Sequence, residues 1–459
     1  MEEDEKKIEL FETMPIPKAV AKLSIPTVLS TLVMVIYSLA DTYFVGLLNI
    51  PKEAAAVTLA APVILAFNAI NNLFGIGTSS FMSRSLGKRD YDTVRRTSAF
   101  GFYCAAGSAL FLSLICAVFN SPLLSLLGAE GETFEPTRKY LFWTVILGAA
   151  PSILNIVLSF MVKAEGSALH ASIGIMSGCL LNIALDPVFI LPWGLNMGAS
   201  GAGCATFISN CVACTYFFVL ITVKRKKTYV CLNPKMFSFR KDIAKSVFTV
   251  GVPAAIQNLL NVTGMTVLNN FTAQFETAAV AAMGITHKIN MVPMYISMGV
   301  GDGILPLVGY NYASGNSKRM KKAIVFAGKI SVAFVIFAAV MYYAFAGNVV
   351  SFFMKDADIV SYGTAFLRGF CLGLPFFSLD FLAVGIFEAV GMGRESLIFA
   401  VLRKVVLEIP AMYILNRIYP LYGLSYSQLC AEVVLAAAAV IVLSRLFKRV
   451  ERKSENKQA

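Results

Sequence analysis

Charged residues are scarce in this sequence. Asp, Glu, Lys and Arg make up 14% of its 459 residues, whereas 57% are hydrophobic. Soluble globular domains carry about 25% charged residues, because their surfaces need them. Histidine is rarer still, with only His170 and His287 in the chain, which excludes a histidine-rich metal site. The composition predicts a polytopic membrane protein.

Several enzyme signatures are missing as well. The sequence has no G-x-x-x-x-G-K-[ST] nucleotide loop, no G-x-S-x-G and no H-E-x-x-H. Most of the nine cysteines lie in apolar stretches, and the pair Cys211 and Cys214 has no histidine nearby. We interpret these thiols as packing groups. The chain is therefore predicted to be no enzyme, with no cofactor and no resident metal.

A net charge of +12 can indicate nucleic-acid binding, but the positions of the charges indicate otherwise here. They cluster in short connectors, namely SRSLGKRDYDTVRR, VKRKKTYVCLNPKMFSFRKD and SGNSKRMKK. Basic connectors beside apolar spans follow the positive-inside rule. They predict loops on the cytoplasmic side and no nucleic-acid partner.

Walking along the chain gives about twelve apolar stretches of the roughly 20 residues that cross a bilayer. Their approximate cores are 21–47, 56–82, 98–119, 139–162, 170–192, 199–223, 246–270, 279–309, 323–346, 361–387, 397–417 and 425–446. With a cytoplasmic N-terminus, most Lys and Arg fall in inside loops. We predict that both termini are cytoplasmic. The acidic N-terminus has no signal-peptide pattern, so we expect no cleavage there.

The two halves of the chain repeat one another at an offset near 225 residues. LGAAPSILNIVLSFMVKAEG (147–166) pairs with LGLPFFSLDFLAVGIFEAVG (372–391), and each half opens on a span with an early proline. Six spans per copy predict an axis along the membrane normal. The expected fold is all-α, with two six-helix lobes at 1–223 and 246–459, joined by a basic cytoplasmic linker at 224–245.

Polar side chains inside spans mark candidate functional sites. Tyr37 and Asp41 are one helical turn apart on the first span, as are Asn182 and Asp186 on the fifth. At 1.5 Å per residue, Asp41 and Asp186 lie roughly 28 and 24 Å from the inner ends of their helices. Thr206 on the sixth span falls in the same outer half. The sequence predicts one polar cluster at this level.

Two readings of this cluster stay open at the sequence level. The residues could hold helices together by hydrogen bonds, or they could bind a coupling ion. Burial without a nearby cation favours the protonated form of a carboxyl group, which suits H⁺ coupling. Na⁺ is the alternative, with Asp41, Asn182, Asp186 and Thr206 as oxygen ligands.

The second half carries more charges on or near its spans. Lys404 and Glu408 are four residues apart and are expected to neutralise each other. Asp302 and Glu388 are interpreted as structural. Asp380 and Glu432 are more central and are predicted to line a substrate cavity, with Arg403 on the eleventh span.

The chain resembles the multidrug and toxic compound extrusion (MATE) family, in its DinF-like, MepA-type branch. The segments that carry the resemblance are ADTYFVG, GIGTSSFMSRSLGKRDYDTVRR, KAEG, LNIALDP, GASGAGCATFISN, LPLVGYNYASGNSKRMKK and FEAVGMGRES. They occur in order along essentially the whole chain.

This resemblance implies a two-lobed, twelve-helix antiporter that exports amphipathic, often cationic drugs in exchange for H⁺ or Na⁺. It implies an ion site in the N-terminal lobe, and it matches the first-helix proline, whose bending is linked to protonation, to Pro26. The matching site residues are Tyr37, Asp41, Asn182, Asp186 and Thr206. One departure is the seventh span, where the NorM-like branch has a glutamate and this chain has Gln257 and Asn261.

The sequence is thus interpreted as a monomeric multidrug exporter of the bacterial cytoplasmic membrane, which works by alternating access. Aromatic and Met side chains offer a deformable apolar surface for the drug, with Phe67, Phe160, Met161, Met283 and Met291 as candidates. A lipid-precursor flippase of the same superfamily is the alternative. It should place several uncompensated cations in the cavity, and mid-span cations are few here.

Overall fold

The computed structural model describes residues 2–48, 50–225 and 227–458, with side chains from 7 to 452 in those ranges. Every regular element in them is helical. The α-helices are α1 (Glu2–Glu12), α2 (Ile16–Leu47), α3 (Pro51–Gly87), α4 (Tyr91–Val118), α5 (Asn120–Leu126), α6 (Phe134–Leu141), α7 (Ala149–Ala164), α8 (Ala168–Ile190), α9 (Ala199–Val223), α10 (Lys241–Thr272), α11 (Thr277–Ser314), α12 (Ser317–Phe353), α13 (Ala357–Cys371), α14 (Leu374–Val390), α15 (Gly393–Val401), α16 (Ile409–Ile418) and α17 (Ser427–Gln458).

Two π-helical segments interrupt the α-helices, at Phe142–Leu147 and at Leu402–Glu408. Within the described residues, nine helices are long and apolar enough to cross a membrane, or up to eleven if each bent helix pair forms one span. The pairs bend by 48° before α7 and by 46° between α13 and α14. The predicted eleventh span lies on α15, the second π segment and α16, which are individually short. The all-α polytopic fold is confirmed.

Local sequence signals explain where these helices begin and end. Pro51 opens α3, where its missing N–H has no helical partner to lose. Asp90 caps α4 by accepting a hydrogen bond from the Thr93 N–H at 3.1 Å. Gly315 and Gly391 end α11 and α14 with φ of 83° and 85°, a conformation that glycine adopts without strain.

The chain divides into two compact units. Unit 1 comprises residues 1–9 and 29–255, and unit 2 comprises 10–28 and 256–459. These bounds differ from the predicted lobes, because the first part of α2 packs with unit 2 and the first part of α10 with unit 1. Ser24 on α2 donates to the Val300 carbonyl of α11 at 3.2 Å, within unit 2. The chain changes unit at three places, all inside helices: after Glu9 in α1, two residues after Pro26 in α2, and two residues after Pro253 in α10.

In unit 1, small residues let α8 and α9 approach closely. A Cβ on Gly174 would meet the Phe217 ring, and one on Gly178 would lie 3.1 Å from the Ala213 Cβ. Glycine at such a contact allows helix backbones to come together in a membrane protein. One turn further along α8 from Gly178, the side chain of Asn182 consequently faces Thr206 on α9.

The connector between α9 and α10 is docked on unit 1. Glu165, at the end of α7, is 4% exposed. Its carboxylate accepts hydrogen bonds from the Thr228 hydroxyl at 3.0 Å and from the Tyr229 N–H at 2.8 Å, and pairs with the Lys7 ammonium at 3.1 Å. Further along, the Cys231 N–H donates to Ser98 of α4 at 2.8 Å. The predicted linker is thus held in place by hydrogen bonds on both α4 and α7.

In unit 2, α11 packs against α12, α13 and α14. Ser297, Ser331 and Ser378 from three of these helices join their hydroxyls at 2.8–2.9 Å. The second π segment packs against α17, which also contacts α14. This arrangement brings charged residues of the three elements together inside the unit.

Candidate functional site

The polar residues of α8 and α9 form one hydrogen-bonded group. In the amide orientation that satisfies both partners, Asn182 donates to the two carboxylate oxygens of Asp186 at 3.2 and 2.9 Å. Its carbonyl accepts from the Thr206 N–H at 3.0 Å. Asn182 is 2% exposed and Asp186 is fully buried. Because Pro187 has no N–H, it leaves a backbone carbonyl of α8 without its helical donor beside this group.

The second half of α2 adds Tyr37 and Asp41 to the group. Tyr37 lies close enough to Asp41 and Thr206 for their side chains to interact, and the charges of Asp41 and Asp186 are close enough to interact as well. The Asp41 Oδ1 atom is buried and has no hydrogen-bond partner among the described residues. The structure therefore brings together all five residues that the sequence placed at one level.

Sequence reasoning missed a sixth member, Tyr140. It is 5% exposed, lies at the end of α6, and interacts electrostatically with Tyr37, Asp41 and Asp186. Tyr140 stands at the start of an apolar span among other aromatic residues, and the sequence alone does not distinguish it from a tyrosine that only packs there. We call these six residues the N-terminal polar cluster: Tyr37, Asp41, Tyr140, Asn182, Asp186 and Thr206.

The charge balance of this cluster decides its chemistry. In the part of the chain that the structure describes, neither Asp41 nor Asp186 forms an ion pair with a Lys or Arg, and the charge that acts on Asp186 is that of the Asp41 carboxylate. Asp186 is fully buried and Asp41 is half-buried with a buried Oδ1 atom. Two such carboxyl groups without a cation need either protons or a bound cation to remain in a membrane interior. The carboxylates can accept H⁺, and the carboxylate, hydroxyl and amide oxygens together can coordinate Na⁺.

Pro26 is half-buried and lies in the first part of α2, which belongs to unit 2, whereas the cluster residues belong to unit 1. It follows the place where α2 and α11 approach so closely that a Cβ on Gly303 would lie 2.6 Å from the Ser24 Cα. A proline there removes one helical hydrogen bond directly after a tight contact. Its predicted part in helix bending stays a prediction.

The apolar candidates for substrate contact fall into two groups. Phe67, Met161 and Met283 are 4%, 0% and 2% exposed. Met283 packs in a core with Phe366, among others. Phe160, which the Lys163 ammonium approaches at 5.3 Å, and Met291 are half-buried. Their predicted roles in drug binding stay predictions, with the two half-buried side chains the more accessible.

Charged residues of unit 2 form a second group. Arg403 pairs with Asp380 of α14 and, at 3.4 Å, with Glu432 of α17. Lys404 and Glu408 pair at 2.7 Å, as their spacing predicts. Sequence reasoning placed Asp380 and Glu432 beside a cavity but did not foresee that one arginine binds both. On α10, Gln257 is buried and Asn261 is exposed.

Comparison with known proteins agrees with this architecture. The MatE family model matches the chain twice, at residues 26–188 and 253–414, so the starts are 227 residues apart, close to the predicted repeat offset. The Multidrug export protein MepA of Staphylococcus aureus (strain MRSA252) is 33% identical over 450 residues, 97% of each chain. MepA of Staphylococcus haemolyticus is 33% identical over 442 residues, 96% of each.

Solved structures agree as well. One, described as the outward-facing conformation of a multidrug resistance MATE family transporter of the MOP superfamily, has a TM-score of 0.91 at 26% identity, over 97% of this chain and 99% of that one. The double match, the full-length relatives and the shared fold lead to one assignment. This chain belongs to the MatE family, the multidrug and toxic compound extrusion transporters.

Proposed function

We propose that this protein is a secondary multidrug exporter that exchanges amphipathic, often cationic compounds for H⁺ or Na⁺ by alternating access. The observation that carries the proposal is the N-terminal polar cluster, with two interacting carboxyl groups and no described cation paired to them. Full-length relatives named as multidrug export proteins support the choice of cargo. The basic connectors support a bacterial cytoplasmic membrane protein with both termini inside.

The proposed cycle follows from the electrostatics of the cluster. When one proton or one Na⁺ neutralises one of the two carboxylates, Asp41 or Asp186, the repulsion between them disappears and the preferred packing of α2, α8 and α9 changes. Drug and ion need only favour different conformations of the protein to be coupled. Asn182 and Thr206 position Asp186 for this exchange, while Tyr37 and Tyr140 surround Asp41.

The lipid-precursor flippase is the weaker alternative. A carrier of phosphate or pyrophosphate groups needs cations that are free to bind them. In this protein Arg403 and Lys404 are each paired with carboxylates. Their charges are compensated inside unit 2, which favours a cationic or neutral cargo.

The proposal is tested in proteoliposomes with a pH gradient and a Na⁺ gradient imposed separately. Asp41→Asn and Asp186→Asn should each abolish ion-driven transport of a fluorescent cationic drug while the protein remains folded. Asp358→Asn, an exposed carboxyl on α13, is the matched control and should transport normally. Ion-driven transport that survives in both cluster variants would overturn the site, and transport driven by neither gradient would overturn antiport.

A further inference from the structure

Three elements of unit 2 enclose a group of charges that the proposed exchange does not use. Asp380 on α14 is 0% exposed, Arg403 on the second π segment is 3% and Glu432 on α17 is 1%. The guanidinium contacts the carboxylates of both acids and lies 5.7 Å from the centre of the Phe377 ring. We call Asp380, Arg403 and Glu432 the C-terminal charge cluster.

The neighbouring charges leave this cluster with one cation for two acids. Lys404 and Glu408, on the same π segment, pair with each other at 2.7 Å. His287 on α11 interacts with that pair, and its ring meets Phe370 edge-on at 6.2 Å. The nearby face of α10 contributes Gly264 beside the Lys404 stem. Lys404 and Glu408 also act electrostatically on Glu432, but with opposite signs. Among the described residues, Arg403 is therefore the cation in contact with both Asp380 and Glu432.

The π segment explains how Arg403 is directed inward. Arg403 and Glu408 are both buried, at 3% and 5% exposure, although they are five residues apart. On an α-helix, residues at this spacing point about 140° away from each other. A π-helix closes its hydrogen bonds from i to i+5, so that the two residues share one face. The extra residue of the turn therefore places both side chains inside the unit.

We propose that Arg403 is a tethered cation that occupies the Asp380–Glu432 carboxylate pair and thereby keeps Na⁺ and a second proton out of it. The inference rests on the proposed antiport. A guanidinium stays protonated in proteins, and its attachment to the chain prevents it from leaving the carboxylates for bulk solution. With Arg403 in place, at most one further charge, a proton, completes neutrality. Without it, the two carboxylates form a vacant site for Na⁺ or for two protons.

The test measures ion binding to the purified full-length protein and needs no transport. The background is the Asp41→Asn/Asp186→Asn protein, which silences the N-terminal cluster. Its melting temperature is compared in NaCl and in N-methylglucamine chloride at equal ionic strength, and at pH 8 and pH 5.5. We expect no Na⁺-specific shift in this background. Adding Arg403→Gln should create a rise of about 3 °C or more with Na⁺ or at the lower pH, as a ligand that binds only the folded state does.

Two controls complete the design. Arg403→Gln combined with Asp380→Asn and Glu432→Gln, in the same background, should lose the new shift because the ligating charges are gone. A folded Arg403→Gln protein that shows no shift beyond this neutral variant would overturn the proposal. If Arg403→Gln does not fold, binding of ²²Na⁺ to the background protein is measured directly. We expect no bound Na⁺. Na⁺ that binds to the background protein and is lost when Asp380→Asn is added would also overturn the proposal.

These outcomes are separate from those of the proposed function. Loss of antiport activity in the native protein would leave the Na⁺ response of the Arg403→Gln variant intact. Conversely, a silent Arg403→Gln variant would leave the transport tests of Asp41 and Asp186 unaffected.

Discussion

Replacing Glu165 should destabilise unit 1, because this single carboxylate anchors the connector and the first helix. Glu165→Ala removes the acceptor of the Thr228 hydroxyl and the Tyr229 N–H, both within 3.0 Å, and the partner of Lys7. Hydrogen bonds to a charged group contribute about 1.5–3 kcal/mol each. Since such losses are not additive, we expect unfolding to become about 3–5 kcal/mol easier.

Thermal unfolding of the purified protein in detergent provides the assay, with a thiol-reactive dye that reports exposure of buried cysteines such as Cys116 and Cys204. For a unit of this size, the loss corresponds to a fall in melting temperature of about 6 °C or more. Glu165→Gln keeps an acceptor oxygen and should lose about half as much. Trypsin should also cut the connector faster, at Lys235 and Arg240.

The matched control is Glu132→Ala. Its side chain is 86% exposed and lies 3.8 Å from Lys52, and exposed pairs of this kind contribute about 0–1 kcal/mol. Glu132→Ala should therefore melt within about 2 °C of the native protein. If Glu165→Ala has the same melting temperature as Glu132→Ala and its connector is cut by trypsin no faster, the connector is not anchored through Glu165.

Two further predictions concern unit 1. Asp90→Ala should cost about 1 kcal/mol of stability at pH 7 by removing the cap of α4. Hydrogen bonds from Thr93 lower the pKa of Asp90 in the folded protein, so its contribution is present above the unfolded pKa of about 3.9 and is lost as the pH falls through the lower folded value. The melting temperatures of the two proteins should consequently begin to converge as the pH falls below about 3.9 and should meet below the folded pKa of Asp90, and a constant difference would contradict this. Gly251→Ala should destabilise by about 1–3 kcal/mol, since its Cβ would collide with the Leu73 carbonyl oxygen. Gly107→Ala, with open space around it, should be neutral or slightly stabilising, and equal melting temperatures for the two variants would refute the close approach.

The sequence was sufficient to predict the parts of this fold that depend on one-dimensional patterns. The length of each apolar stretch predicted the membrane spans, and the early prolines and loop motifs predicted that the two halves repeat one another. Asp41 and Asp186 were recognisable because a carboxyl group inside an apolar stretch has few alternative explanations. Their depth along each helix follows from a fixed rise per residue, so Asn182 and Thr206 could be added at the same level.

Other features depend on three-dimensional packing and were out of reach. Tyr140 joins the N-terminal cluster only because α6 passes beside α9, and its residue type gives no signal of this. The π segment at Leu402–Glu408 changes which side chains share a face, and an α-helical count cannot anticipate it. For the same reason Arg403 could be placed on a span but could not be assigned to Asp380 and Glu432.

The positions at which the chain changes unit have a mechanical consequence. These changes occur inside α1, α2 and α10, while the basic connector between α9 and α10 is held on unit 1 by hydrogen bonds. In the described chain no loop joins the two units, because every change of unit falls inside a helix. A change in the arrangement of the units would therefore have to be accommodated by bending of these helices. Pro26 and Pro253 each remove a backbone hydrogen bond beside such a crossing. Since each repeat carries one of these prolines, we expect any bending of α2 and α10 to occur at these two positions.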